Sequence, residues 1–253
     1  MLGKNVIGII PARFASTRFP GKPLIDIMGK PLIQHVWESA SESVHLSKVL
    51  IATDNDQIYE TCQNFGADCI MTSSEVKSGS DRIITVIKNI NEHFDFIVNL
   101  QGDEPLISGE LIDELIKMTI KSQAEVGTVI KKIDNIEELF DSNVVKVVLR
   151  DDDSALYFSR SPIPFNRESK STKWLQTGTY WKHVGVYCYG HQSLLRFGEM
   201  PRSPLEKIES LEQLRLIEDG ARYVCLKTIL ELHGVDTPAD VEKVEDLLKK
   251  RLS

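Results

Sequence analysis

Val6-Ile7-Gly8-Ile9-Ile10 is an apolar run, and Pro11-Ala12-Arg13-Phe14-Ala15-Ser16-Thr17-Arg18-Phe19-Pro20-Gly21-Lys22-Pro23-Leu24 is the loop in which it stops. A run without polar alternation reads as a strand buried on both faces. In an open α/β sheet the loop after such a strand lies at its carboxyl end, where ligands bind. Small residues let backbone N–H groups approach a phosphate, and Arg13, Arg18 and Lys22 bring positive charge. The reading is a triphosphate-binding loop. The plainer alternative is a surface loop with solvated cations and Pro-Gly turn chemistry. Neither Gly-x-x-x-x-Gly-Lys-Ser/Thr nor Gly-x-Gly-x-x-Gly follows this strand.

Working outward, apolar runs predict further strands over 48–54, 69–72, 94–100 and 126–132. Helical spacing begins at Pro31, recurs over 55–65 up to Gly66, opens again at Ser78-Gly79-Ser80-Asp81-Arg82, and fills 108–122 with Ser108 as N-cap. This alternation predicts an α/β fold, a mainly parallel central sheet with helices on both faces. The pattern then changes. Residues 144–149 and 155–159 flank a polar turn and read as a hairpin. Residues 161–182 have little periodicity and read as a long excursion, with Trp174 and Trp181 arguing for an exposed interaction surface. A strand over 183–189, a helix from 192, one longer helix over 205–218 stopped by Gly220, a strand over 223–226 and a last helix over 239–250 complete the chain.

The 253 residues suffice for one large α/β domain or two small ones. A net charge of −7 argues against a nucleic-acid partner, though a nucleotide site needs only local positive charge. Cys62, Cys69, Cys188 and Cys225 lack metal-like spacing and read as reduced thiols, some of them in the core. No apolar run is long enough to span a membrane and no signal peptide precedes the first strand, so the cytoplasm is the expected compartment.

Asp103 follows the strand Ile97-Val98-Asn99-Leu100 directly and so stands at a strand's carboxyl end. Mg²⁺ is commonly held by one or two carboxylates together with substrate phosphates. Asp236, before Thr237-Pro238, is the candidate second acid. In a bland reading Asp103 bonds its own turn and Asp236 favours a helix dipole. Ser80 and Arg82 at a helix start suit phosphate or the polar edge of a base, or serve as a cap and a surface cation.

IPARFASTRFPGKP, TSSEVKSGSDR, VNLQGDEP, VVKVVL before ALYFSRSPIP, KHVGVY, SPLEKIESLEQLR and HGVDTP occur in that order. Together they resemble the 3-deoxy-manno-octulosonate (Kdo) cytidylyltransferases, within the sugar nucleotidyltransferases. The resemblance runs from Val6 to the last helix and is weakest over 165–181. It implies a three-layer Rossmann-like nucleotidyltransferase fold in one domain, residues 1–253, with a protruding hairpin and dimerisation segment at about 160–190. It implies that the anomeric hydroxyl of Kdo attacks the α-phosphorus of CTP, releasing pyrophosphate and supplying activated Kdo for lipopolysaccharide assembly. It further implies Mg²⁺ on Asp103 and Asp236, catalytic cations at Arg13 and Lys22, and a homodimer. CTP contacts would come from Ala12, Arg13, Ser16, Lys22, Ser78, Gly79, Ser80, Arg82 and Gln101. Kdo contacts would come from Gln101, Arg160, His183, Tyr187, Glu212 and Gln213. Arg160 is expected to grip the sugar carboxylate with its two-pronged guanidinium or to order the groups that do; a salt bridge to an acid such as Glu168 is the alternative. An 8-amino-Kdo or sialic acid substrate, or a non-catalytic nucleotide-binding regulator, are the competing functions.

Overall fold

The computed structural model describes residues 3–14, 19–76 and 78–252. Ser16 and Arg18 therefore lie outside the described residues. In chain order the strands are β1 (Val6–Ala12), β2 (Asp26–Ile27), β3 (Lys30–Pro31), β4 (Lys48–Thr53), β5 (Cys69–Met71), β6 (Phe96–Asn99), β7 (Val126–Lys132), β8 (Lys146–Leu149), β9 (Ala155–Ser159), β10 (Trp181–Gly190) and β11 (Tyr223–Thr228). The helices are α1 (Leu32–Ser41), α2 (Asp56–Asn64), α3 (Gly79–Asn89), α4 (Gly109–Ser122), α5 (Ile136–Phe140), α6 (Trp174–Thr177), α7 (His191–Glu199), α8 (Pro204–Glu209), α9 (Leu214–Glu218) and α10 (Pro238–Leu252).

Strand β1 is central, as its unbroken apolar run requires. It pairs in parallel with β4 on one edge and β6 on the other, in the sheet order β11-β7-β10-β6-β1-β4-β5. Its side chains alternate between two cores. Ile7 and Ile9 join a cluster with Ile83 and Ile84 of α3 and Leu194 and Phe197 of α7. Val6 and Ile10 join another with Ile33 of α1 and Leu115 of α4. The expected cap at Ser108 forms, its side chain accepting from Leu111 N–H, and Asn55 and Ser78, rather than Ser80, cap α2 and α3 by accepting from Ile58 and Asp81 N–H. No helix among the described residues is long and apolar enough to cross a membrane.

Strand β10 runs against this parallel set and forks it. Its half near Tyr187–Gly190 pairs with β6, whereas Trp181 and Lys182 pair with β8; β7 lies along the other edge of both halves. The register with β7 shifts between Val184 and Tyr187. The carboxyl end of β6 and the start of β8 thus flank a gap beside Gly185.

Two expectations need correction. The stretch 205–218 is two helices, α8 and α9, parted at Ser210, whose φ of 52° is left-handed. The Arg160 guanidinium takes up the Glu209 and Ser210 carbonyls, acceptors that a continuous helix would keep for itself. The excursion is also not an exposed aromatic surface throughout. Trp174 is buried with Ile133, Leu139 and Tyr180, stacked on the Tyr180 ring at 5.9 Å. Phe165, 76% exposed, meets Trp174 edge-on.

Helix α4 lies so close to β7 that a Cβ on Gly127 would stand 1.9 Å from Thr119 Oγ1. Gly127→Ala is expected to lower the unfolding free energy by about 1–3 kcal/mol. Adding Thr119→Ala should recover part of that loss in denaturant unfolding; no recovery would place the strain elsewhere.

Candidate active site

The first part of the site is a cation between two carboxylates. Gly21, at φ 72°, turns the chain into a short 3₁₀ segment, Lys22–Leu24, whose Pro23 is buried. Lys22 Nζ donates to Asp103 Oδ2 at 2.6 Å and to Asp236 Oδ1 at 3.1 Å. Asp103 leaves the end of β6, and its carbonyl accepts from Val235 N at 2.8 Å, which ties the segment before α10 to the same strand end. Asp240 holds that segment from the other side. Its carboxylate accepts from the backbone N–H groups of Asp236 (3.0 Å) and Thr237 (2.7 Å) and pairs with His233 at 2.9 Å. Sequence reasoning passed over Asp240, although an acid three residues after Thr237 is a helix-start signature.

Glu104 is a second residue that the sequence reading left without a role. Its Oε2 is buried and has no hydrogen-bond partner among the described residues. Burial, with the charges of Asp103 and Asp236, pushes its carboxyl up to about 8. Among the described residues no three His, Cys, Asp or Glu side chains form a closed metal cage. Two converging carboxylates and an orphaned carboxyl oxygen are instead a hard oxygen set that fits Mg²⁺ completed by phosphates.

The second part is a cavity of about 580 Å³ in the fork of the sheet. Gln101, His183, Tyr187, Glu212 and Gln213 all line it, together with Ser80 from the first turn of α3. The break at Ser210 is what turns Glu212 and Gln213 inward. Ser80 Oγ donates to Glu212 Oε2 at 2.8 Å, and Gln101 Nε2 donates to the Gly185 carbonyl at 2.9 Å. His183 Nε2 lies 2.8 Å from Thr128 Oγ1, with Phe158 edge-on at 5.1 Å. Burial pushes its imidazole down to about 3 and the Tyr187 phenol well above its ordinary value, so both rings are neutral. Asp236 also lines this cavity, so the two parts are continuous.

The remaining expected residues sort differently. Ala12 closes β1, buried, and Arg13 follows it on the exposed side. Ser78 caps α3, and Gly79 lets that helix start approach Pro11, which an added Cβ would meet at 3.3 Å. Arg82 is fully buried and lies outside the cavity lining. It pairs with Asp54 at 2.7 Å and donates to Thr72 Oγ1, bracing α3 against the ends of β4 and β5. Arg160 is likewise outside the lining, and Glu168 is not its partner. Its guanidinium donates to the carbonyls of Glu209 (2.8 Å), Ser142 (2.9 Å) and Ser210 (3.3 Å). Of its two expected roles, direct grip and ordering, this geometry serves the second. Lys146, buried, donates to the Asp141 and Val144 carbonyls and helps Arg160 pin the loop that bounds the cavity.

A mainly parallel α/β sheet whose strand ends carry a cation–carboxylate cradle opening into a cavity with several polar side chains is the arrangement a nucleotidyltransferase requires. The family model described as cytidylyltransferase matches residues 7–229. A 3-deoxy-manno-octulosonate cytidylyltransferase of Thermodesulfovibrio yellowstonii is 44% identical over 248 residues, covering 96% of this chain and 97% of its own. Another, of Geobacter sulfurreducens, is 45% identical over 255 residues, covering 97% and 100%. A solved structure of CMP:2-keto-3-deoxy-manno-octonic acid synthetase complexed with CTP superposes with a TM-score of 0.90 at 38% identity, covering 98% of this chain and 99% of that one. The chain belongs to the 3-deoxy-manno-octulosonate cytidylyltransferase family of cytidylyltransferases.

The neutral His183 has a consequence for stability. An unfolded histidine binds its proton below about pH 6.5, whereas the folded ring stays neutral down to about 3. Stability present above 6.5 is therefore lost as the pH falls toward 3. His183→Gln is expected to reduce the fall in unfolding free energy between pH 7 and pH 5 by up to about 2 kcal/mol. Denaturant unfolding at both pH values checks this, and an unchanged acid sensitivity would clear His183 as its source.

Proposed function

We propose that the chain transfers CMP from CTP to the anomeric hydroxyl of Kdo, giving CMP-Kdo and pyrophosphate, the activation that feeds Kdo into lipopolysaccharide. The observation that carries this reading is that Asp236 belongs both to the Lys22 cradle and to the wall of the polar cavity. A triphosphate and a sugar acid bound in the two parts meet at that residue. The relatives' names supply the identity of the sugar and the nucleotide.

Charge develops on the α-phosphoryl oxygens and on the departing pyrophosphate, so fixed cations belong beside them. Lys22 and Arg13 take that role. Mg²⁺, held by Asp103 and Asp236 when bound, would act as a Lewis acid toward the phosphate oxygens and a bound hydroxyl. The α3 start, from Ser78 to Ser80, offers N–H donors to the nucleotide. Gln101, His183, Tyr187, Glu212 and Gln213 hold the sugar, with His183 as a neutral hydrogen-bonding ring rather than a cation. Arg160 keeps the segment carrying Glu212 and Gln213 in place. We assign the enzyme to the cytoplasm, a reducing compartment that suits its four free cysteines.

Pyrophosphate release with CTP, Mg²⁺ and a panel of Kdo, 8-amino-Kdo and a sialic acid tests the reading; it fails if Kdo is not a substrate. Asp103→Asn and Asp236→Asn should each lower turnover by at least about a hundredfold while leaving thermal unfolding cooperative. Near wild-type turnover at limiting Mg²⁺ would remove that residue from the metal site.

We also propose a two-fold dimer that covers Phe165 and the half-exposed Phe140, both packed against Trp174. Sedimentation should show a dimer at micromolar concentration and dissociation in Phe165→Asp. A wild-type monomer would overturn this assembly.

A further inference from the structure

Strand β6 and the residues after it send Ile97, Asn99 and Gln101 to one side and Val98 and Leu100 to the other. Ile97, Val98 and Leu100 are core residues with no exposure. Asn99 is nearly as buried, at 2% exposure, yet it lines the cavity and stands across the ladder from Tyr187. Its Oδ1 is buried and has no hydrogen-bond partner among the described residues. An unpaired buried amide oxygen costs free energy that an apolar residue at the same place would avoid. Packing alone does not account for an asparagine here.

The neighbouring groups say what Oδ1 awaits. The Ser80 hydroxyl proton is committed to the Glu212 carboxylate, so this end of the cavity presents oxygen acceptors. Acceptors beside a carboxylate repel an anion and suit O–H donors. Resting on the function proposed above, we propose that Asn99 is a specificity-determining residue, its Oδ1 accepting a hydrogen bond from a hydroxyl of the bound sugar acid. The sugar's own carboxylate is on the carbon that carries the attacking hydroxyl and so belongs at the Lys22 end. The hydroxyl-bearing remainder therefore points toward Asn99, Ser80 and Glu212.

Steady-state kinetics on Asn99→Leu, varying Kdo and CTP separately, test this. The expected result is a KM for Kdo raised roughly ten- to a hundredfold, with the KM for CTP little changed and the melting temperature held or raised. One singly deoxygenated Kdo should lose rate with the wild type and lose no more with the variant. If Asn99→Leu does not fold, Asn99→Ala is measured in the same way. An unchanged KM for Kdo in the folded variant overturns the inference, as does an equal rise for Kdo and CTP or a deoxy analogue whose penalty is the same in wild type and variant. A wild-type enzyme inactive with Kdo overturns the underlying reading and this inference with it.

Discussion

The Lys22 ammonium between Asp103 and Asp236 joins parts of the chain 81 and 214 residues from it. Two carboxylates side by side repel, and the shared cation makes their approach tolerable. The contact is also held from beneath. Val235, next to Asp236, is buried with Val244 of α10 against Ile27 and Leu32, which follow the Lys22 turn. The apolar cluster brings the backbones together, and the charges then select the side-chain arrangement. Among the described residues two carboxylates meet the one Lys22 ammonium, with the buried Glu104 carboxyl beside them, an oxygen set that suits a ligand arriving with its own divalent metal.

The fork in the sheet is the second constraint. A continuous ladder from β6 to β8 along β10 would leave no room at the strand ends. The register shift after Val184 and the divergence of β8 open the gap, and groups on either side keep it open. Gln101 spans to Gly185, while Arg160 and Lys146 fasten the bounding loop through its carbonyls. These cations are spent on backbone oxygen. Lys182, which does line the cavity, is paired with Glu138, so the lining joins neutral and acidic side chains to a compensated cation, beside the corner where Lys22 bridges Asp103 and Asp236.

Much of this was readable in the chain. Apolar runs located the parallel strands, and Asn55, Ser78 and Ser108 marked helix starts that formed as expected. Asp103 and Lys22 stood out because a strand end followed by an acid, or by a Gly-Lys turn, is a local signal. What escaped were tertiary partnerships. Periodicity tells that a side chain is inside but not which atoms face it, so the buried pairing of Arg82 with Asp54 was not legible in the sequence. Carbonyl acceptors leave no trace in side-chain identity, which hid both the fate of Arg160 and the helix break it maintains. Trp174 looked exposed because its core comes from Ile133, Leu139 and Tyr180, around a short segment with no helical repeat of its own.

The division of labour follows from where each element is anchored. The charged corner rests on the ends of β1 and β6, both largely buried, and on the α10 segment clamped by Asp240. The cavity side is assembled from the fork, the α8–α9 break and the start of α3, which share an apolar cluster through Tyr187, Leu211, Leu214 and Ile83 and are tied at the cavity wall by hydrogen bonds. Ordering a triphosphate demands fixed charge, because small displacements change its electrostatic stabilisation steeply. Choosing a sugar demands a set of acceptors and donors whose identity can differ without moving the strands. On the proposed assignment, substitution at the fork is expected to alter the acceptor sugar while leaving the phosphate chemistry intact, whereas a change at Lys22, Asp103 or Asp236 is expected to remove the chemistry for every sugar alike.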